Sequence, residues 1–410
     1  MSLPLCAAWL FGCTFVSQNP GADGGGDGSS ATDGGPPPTA PPVVNGQSAV
    51  RVLGQPDFVT GGSGTAADLF RWAGGIDVAD GTLWVDDVDN ARVLQWSPEP
   101  VIDQDRADRV VGQFDFDSAV AGPSSVHLTP SGAELTDRIG DVAVAGDRLV
   151  VADGHANRIL VWSQLPKANG VAADLVLGQT TFDGSAAGIN ADRLNAPSGV
   201  WSDGNRLIVV DQGNHRVLIW SAFPTENGQS ADVVLGQTSF TSRLVPDPPT
   251  TSSMNTPTDV AFDGARLFIV DSANHRIMGW NGIPSENDAP ADFFVGQNSG
   301  ESNGQNAGAG AKNPNPVGLD SPGTIAVAHG SLFVADRANR RVVVHTPSPT
   351  SSGEAADAVL GYADLVGTPL ETEGQAFAPT GLAVLGDRLY VSDSSPTSAR
   401  VLVYQLVNLP

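Results

Sequence analysis

An aspartate, an asparagine, a histidine and an arginine fall within six residues at Asp211, Asn214, His215 and Arg216, and the same four types recur at Asp271, Asn274, His275 and Arg276. Met once, such a set offers a general base, an imidazole that titrates near neutral pH and a cation for a developing negative charge. Together with His155 it also offers three imidazoles for a zinc ion. Yet reduced copies recur, with Asp86 before Arg92, Asp153 before Arg158, Asp336 before Arg341 and Asp393 before Arg400. A reaction centre is not written six times in one chain. A carboxylate and a guanidinium flanking one tight turn are expected instead to lock that turn by charge-assisted hydrogen bonds.

The elements around these turns follow the same recurrence. In the clearest copy we read strands over Gly199 to Ser202, Arg206 to Val210, Arg216 to Trp220 and Val233 to Gly236, separated by Gly and Asp-Gly turns. The third strand is apolar on both sides (Val217, Leu218, Ile219, Trp220), so its sheet must be covered on both faces. Six anchoring aspartates at intervals of 57 to 67 residues give six such units. Four-stranded sheets arranged radially, each packed between two neighbours, meet the requirement. The expected fold is all-β, a six-bladed β-propeller.

The chain ends decide between a closed ring and an open stack. The last unit, Gly381 to Gln405, supplies three strands, whereas Ser48 to Phe58 (SAVRVLGQPDF) matches the fourth-strand segment Ala173 to Phe182 but has no three strands before it. An N-terminal strand completing the C-terminal blade would close the ring and remove an exposed sheet edge. The radial geometry also bears on zinc. Turns of middle strands stand roughly 12 Å from the axis at strand spacings near 5 Å, which separates alternate blades by roughly 20 Å. Zn–N bonds are about 2 Å long, so His155, His215 and His275 are not expected to share an ion.

The VDxxNHRVxxW units resemble NHL repeats across roughly residues 48 to 410, best in the two central copies. That resemblance implies a six-bladed propeller, which different members use for protein binding, RNA binding, sensing or catalysis.

Composition narrows these uses. With 21 Lys and Arg against 45 Asp and Glu the net charge is -24, which opposes binding to nucleic-acid phosphates. The only cysteines, Cys6 and Cys13, precede the repeats. Residues 2 to 12 are mostly apolar and end at Cys13, and residues 14–46 are rich in Gly, Asp, Ser and Pro. This order resembles a bacterial lipoprotein signal, with Leu10-Phe11-Gly12-Cys13 as the lipobox and Cys13 as the acylated residue. The expected organisation is a signal segment over 1–13, an unstructured tether over 14–46 and a propeller over 47–410. The expected location is the bacterial cell envelope, with membrane contact only through the lipid. Asp23, Asp27 and Asp33 lack the alternation of a calcium loop.

Specific binding should use residues that differ between blades. The turns between second and third strands share a face with the connections between blades, and three connections there carry long insertions: Asp115 to Leu135, Thr238 to Asn255 and Asn298 to Gly318. Asp141 and Asp259 begin innermost strands on this face and are candidate channel-mouth ligand residues; Arg71, Trp72 and Arg138 lie just ahead of innermost strands. No nucleophile elbow, phosphate loop or metal-binding helix motif occurs. The reading is a monomeric, non-enzymatic scaffold without cofactor that presents one face to a protein, peptide or glycan. The alternative is a lactonase- or lyase-type enzyme with a divalent cation near Asp141 and Asp259.

Overall fold

A computed structural model of the chain describes residues 40–130, 140–367, 378–395 and 398–409. These form six four-stranded antiparallel sheets. The innermost strands, Ala73–Ala79, Gly140–Ala145, Pro197–Ser202, Pro257–Phe262, Ile325–Ala328 and Pro379–Leu385, touch one another in a closed cycle. They define blades 1 to 6. The protein is a six-bladed β-propeller.

Blade 3 shows why these residues form these strands. Its third strand, Arg216–Trp220, is buried throughout, and its side chains alternate between the two faces of the sheet. Leu218 and Trp220 join the core shared with blade 2, whereas Val217 and Ile219 join the core shared with blade 4. All six cores lie between adjacent blades in this way. Removing one such leucine side chain is worth about 2–5 kcal/mol. The tryptophans closing the third strands are buried, and each indole N–H donates to a backbone carbonyl nine residues on, as Trp220 Nε1 does to Gln229 at 3.1 Å. His345 and Tyr404 fill this slot in blades 5 and 6.

Ring closure uses the N-terminal segment. Arg51–Leu53 pairs antiparallel with Ser398–Gln405 and so supplies the fourth strand of blade 6. The contact begins earlier than the boundary at residue 47 that composition suggested. Val43 is fully buried against blades 5 and 6, Val407 N–H donates to Pro42 O, and Asn45 Oδ1 accepts Val359 N–H at 2.9 Å. Composition misleads here because Asn45-Gly46, which reads as linker, occupies a position the other blades also use.

That position is an inter-blade latch. Each outer strand donates one backbone N–H to a side chain from the segment that leads into the fourth strand of the following blade. The pairs are Val110 with Asn169, Val176 with Asn227, Val234 with Asn287, Phe294 with Ser352, Val359 with Asn45 and Val52 with Asp103, all at 2.9 to 3.0 Å. The next residue has a positive φ in every case, which explains the frequent glycine (Gly46, Gly170, Gly228, Gly353).

Candidate functional site

The buried Asp–Arg pairs act as hubs for the connections on one face. Arg216 Nε meets Asp211 Oδ2 at 2.6 Å with both side chains wholly buried. Its remaining donors reach the carbonyls of Ile189, Asn190 and Arg193 in the incoming connection and of Phe240 in the outgoing one. Asp211 accepts from Asn214 and from Asn195 N–H, just ahead of the innermost strand. Asp153–Arg158, Asp271–Arg276, Asp336–Arg341 and Asp393–Arg400 make the same pair, and Asn274 joins Asp271 as Asn214 joins Asp211. In blade 1 the partner of Arg92 is Asp87, not Asp86. Two aspartates stand side by side there, and strand register places Asp87 opposite Arg92. Asp86 is buried nearby, and burial holds its carboxyl well above the usual carboxylate range.

The histidines also bond between elements. His215 and His275 take the left-handed conformation at the end of the turn, and each Nδ1 accepts a backbone N–H from the next blade, Thr256 at 3.0 Å and Ser321 at 2.9 Å. Asn157 occupies this place in blade 2 and its Oδ1 accepts Ala196 N–H, so His155 sits two residues ahead of the position that His215 and His275 hold. The structure brings the three histidines to no common centre. Among the described residues, no group of three His, Cys, Asp or Glu converges to hold a metal ion.

The bore is where the blades differ. A cavity of about 430 Å³ runs along the innermost strands and is lined by Asp77, Asp141 and Asp259. Each carboxylate bridges to the following blade. Asp77 Oδ2 accepts Val144 N–H at 2.6 Å, Asp141 Oδ2 accepts Val200 N–H at 2.9 Å, and Asp259 Oδ2 accepts Ile325 N–H at 2.8 Å and the Thr324 hydroxyl at 2.6 Å. Glycine makes these approaches possible; a Cβ on Gly199 would lie 2.8 Å from Asp259 Cα. Burial raises all three acids, Asp77 to about 7, Asp259 to about 6, and Asp141 well above the usual range with help from the Asp259 charge. Sequence reading missed Asp77 because it lies two residues further along its strand, outside the column that Asp141 and Asp259 define.

Above the bore, on the face of the second-to-third-strand turns, lies a smaller cavity of about 90 Å³. Asp141 and Asp259 line it from below, with Ser198, Gln212 and Arg337. Gln212 and Arg337 each follow an anchoring aspartate, in the column occupied by Val88, Gly154 and Ser272 elsewhere. Variation within an otherwise repeated turn was the signal that could have found them. Trp72 is buried, with its backbone N–H bonded to Asp87, whereas Arg71 is exposed. Cys13 and Arg138 lie outside the described residues.

Exposed apolar side chains stand singly toward the periphery of the same face, while Val44, Val50, Val101 and Ile102 are exposed elsewhere. Val59, Phe114, Val120, Leu244, Val245 and Val366 are exposed, and all lie in connections that leave outer strands, in four different blades. These connections are braced. The buried glutamine that follows the outer strand folds back under its connection: Gln113 Nε2 donates to Ala91 O and Val120 O, and Gln237 Nε2 donates to His215 O and Leu244 O.

No family model and no curated protein matches the chain. Among solved structures, the chain is similar to virginiamycin B lyase from Staphylococcus aureus, at 10% identity and a TM-score of 0.43, covering 83% of this chain and 97% of that one. It is also similar to a putative 6-phosphogluconolactonase from Bacteroides uniformis, at 14% identity and a TM-score of 0.42, covering 79% and 78%. A chain of a nidogen/laminin complex gives a weaker likeness, at 12% identity and a TM-score of 0.36, covering 70% and 83%. Overlap at this level transfers no activity, and the propeller assignment rests on the six sheets and their closed cycle.

Proposed function

We propose that this protein is a binding scaffold of the NHL-repeat type, which docks a protein, peptide or glycan on the face bearing the second-to-third-strand turns. The observation that carries this reading is the set of exposed apolar side chains, Val59, Phe114, Val120, Leu244, Val245 and Val366, raised on connections that buried arginines and glutamines brace from beneath. Apolar groups held rigidly on a polar, acidic surface favour docking, because little ordering entropy is lost on contact. The bore carboxylates are already engaged by backbone N–H groups, an arrangement suited to holding blades together.

The envelope location belongs to the same proposal. Export and acylation at Cys13 would tether the ring to a membrane through residues 14–46, and mass spectrometry of the mature N-terminus reads this directly; an intact Met1 would rule it out. Docking is tested by pull-down from envelope extracts with the ring and with a Phe114→Asp, Leu244→Asp, Val366→Asp triple variant. Selective loss of the same partners from a variant that melts normally supports the face. Retention of those partners overturns it.

A further inference from the structure

The cavity of about 90 Å³ at the mouth of the bore is bordered by polar atoms whose hydrogen-bonding capacity is unmet among the described residues. Ser198 is only 9% exposed, and among the described residues its Oγ has no hydrogen-bond partner; Gln212 Oε1 is likewise buried without one. Buried polar atoms of this kind are ordinarily satisfied. Asp141 adds to the shortage. Its counterpart Asp259 receives both a backbone N–H and the Thr324 hydroxyl from the next blade, but the residue matching Thr324 in blade 3 is Gly199, so Asp141 lacks the hydroxyl donor. Three acceptors, from blades 2 and 3, therefore border one small space. Facing the same space from blade 5 is the exposed side chain of Arg337, a planar donor suited to a carboxylate.

We propose that this mouth binds a small zwitterion of the α-amino-acid type, with its ammonium group among Asp141, Ser198 and Gln212 and its carboxylate on Arg337. Three acceptors match the three N–H donors of a primary ammonium. A simple cation would leave Arg337 opposed by like charge, and a simple anion would meet two carboxylates. A molecule that carries both charges has a partner for each on this lining. Roughly 10–15 Å³ of such space accommodates one water, so a molecule of several non-hydrogen atoms fits. Glycine and alanine are the natural probes, and a larger side chain would have to project outward between the turns.

The site is separate from the apolar rim, so aspartate substitutions at Phe114, Leu244 and Val366 should leave it intact, and either proposal can fail without the other. Calorimetric titration of the full chain with glycine and L-alanine, with methylammonium and acetate as half-ligand controls, tests it. The expected result is saturable binding of at least one amino acid, with either half-ligand weaker by about tenfold or more. Arg337→Ala and, separately, a Ser198→Ala, Gln212→Leu double variant should each weaken binding by about tenfold with an unchanged melting profile. Absence of saturable binding by both amino acids overturns the proposal. So does methylammonium binding as well as glycine, or binding unchanged by Arg337→Ala.

Discussion

Arg216 Nε lies 2.6 Å from Asp211 Oδ2 across a single turn, and neither side chain has any exposure. A buried pair of this kind is not itself strong evidence of net stabilisation, since both charges lose hydration. Its consequence lies in what else the guanidinium holds. One arginine fixes both the connection entering its blade and the connection leaving it. The repeat therefore anchors the connections of one face.

Replacing Arg216 with leucine should strand a buried carboxylate and free several buried carbonyls, at a cost of about 3–5 kcal/mol in urea unfolding. Arg216→Lys keeps the charge but not the planar fork, so it should recover less than half of that loss. A cost below about 1 kcal/mol for the leucine variant would show that the hub is not structural.

The latch at Asn45 permits a sharper test of ring closure than strand deletion alone. Asn45→Ala removes one acceptor from Val359 N–H, and Asn169→Ala removes the equivalent acceptor from Val110 N–H. Each should cost about 1 kcal/mol, because the bond chemistry is the same. Only the first lies on the N-terminal segment, so it alone should speed proteolysis there. Deleting residues 48 to 58 should lower the melting temperature severely, by exposing the edge of Ser398–Gln405. An unchanged melt would remove the clasp from the account.

The propeller was legible in sequence because its determinants are local and repeated. An apolar third strand and a missing fourth strand in the last unit are visible without coordinates. The blade-1 anchor was not, since Asp86 and Asp87 are adjacent and only strand register selects Asp87. Asn45-Gly46 resembled linker because it follows a Gly- and Pro-rich stretch, although Asn169-Gly170 and Asn227-Gly228 repeat it ahead of the fourth strands of blades 2 and 3. Asp141 and Asp259 were identifiable as innermost-strand residues, but their bonds to the next blade depend on contacts between segments about 60 residues apart. Ser198, Gln212 and Arg337 come together only when the ring closes.

The bore acids and His345 should give the stability profile two opposed limbs. Asp77 is raised to about 7 by burial, against 3.8 for a free carboxyl, so the folded state binds the proton more tightly than the unfolded chain. Its contribution is present below pH 3.8 and is lost as pH rises through about 7. His345, fully buried, is lowered to about 4 from 6.5, so its contribution is present above 6.5 and is lost as pH falls toward 4. Asp77→Asn keeps a carbonyl acceptor for Val144 N–H and removes the titrating group. It should raise unfolding free energy near pH 8 by about 1–3 kcal/mol and change little near pH 4. His345→Phe should do the reverse, gaining about 1–2 kcal/mol near pH 5 relative to its value near pH 8. Urea unfolding of both variants across this range measures the two limbs separately. If Asp77→Asn shifts both limbs equally, its effect is on packing and the carboxyl does not titrate in the bore.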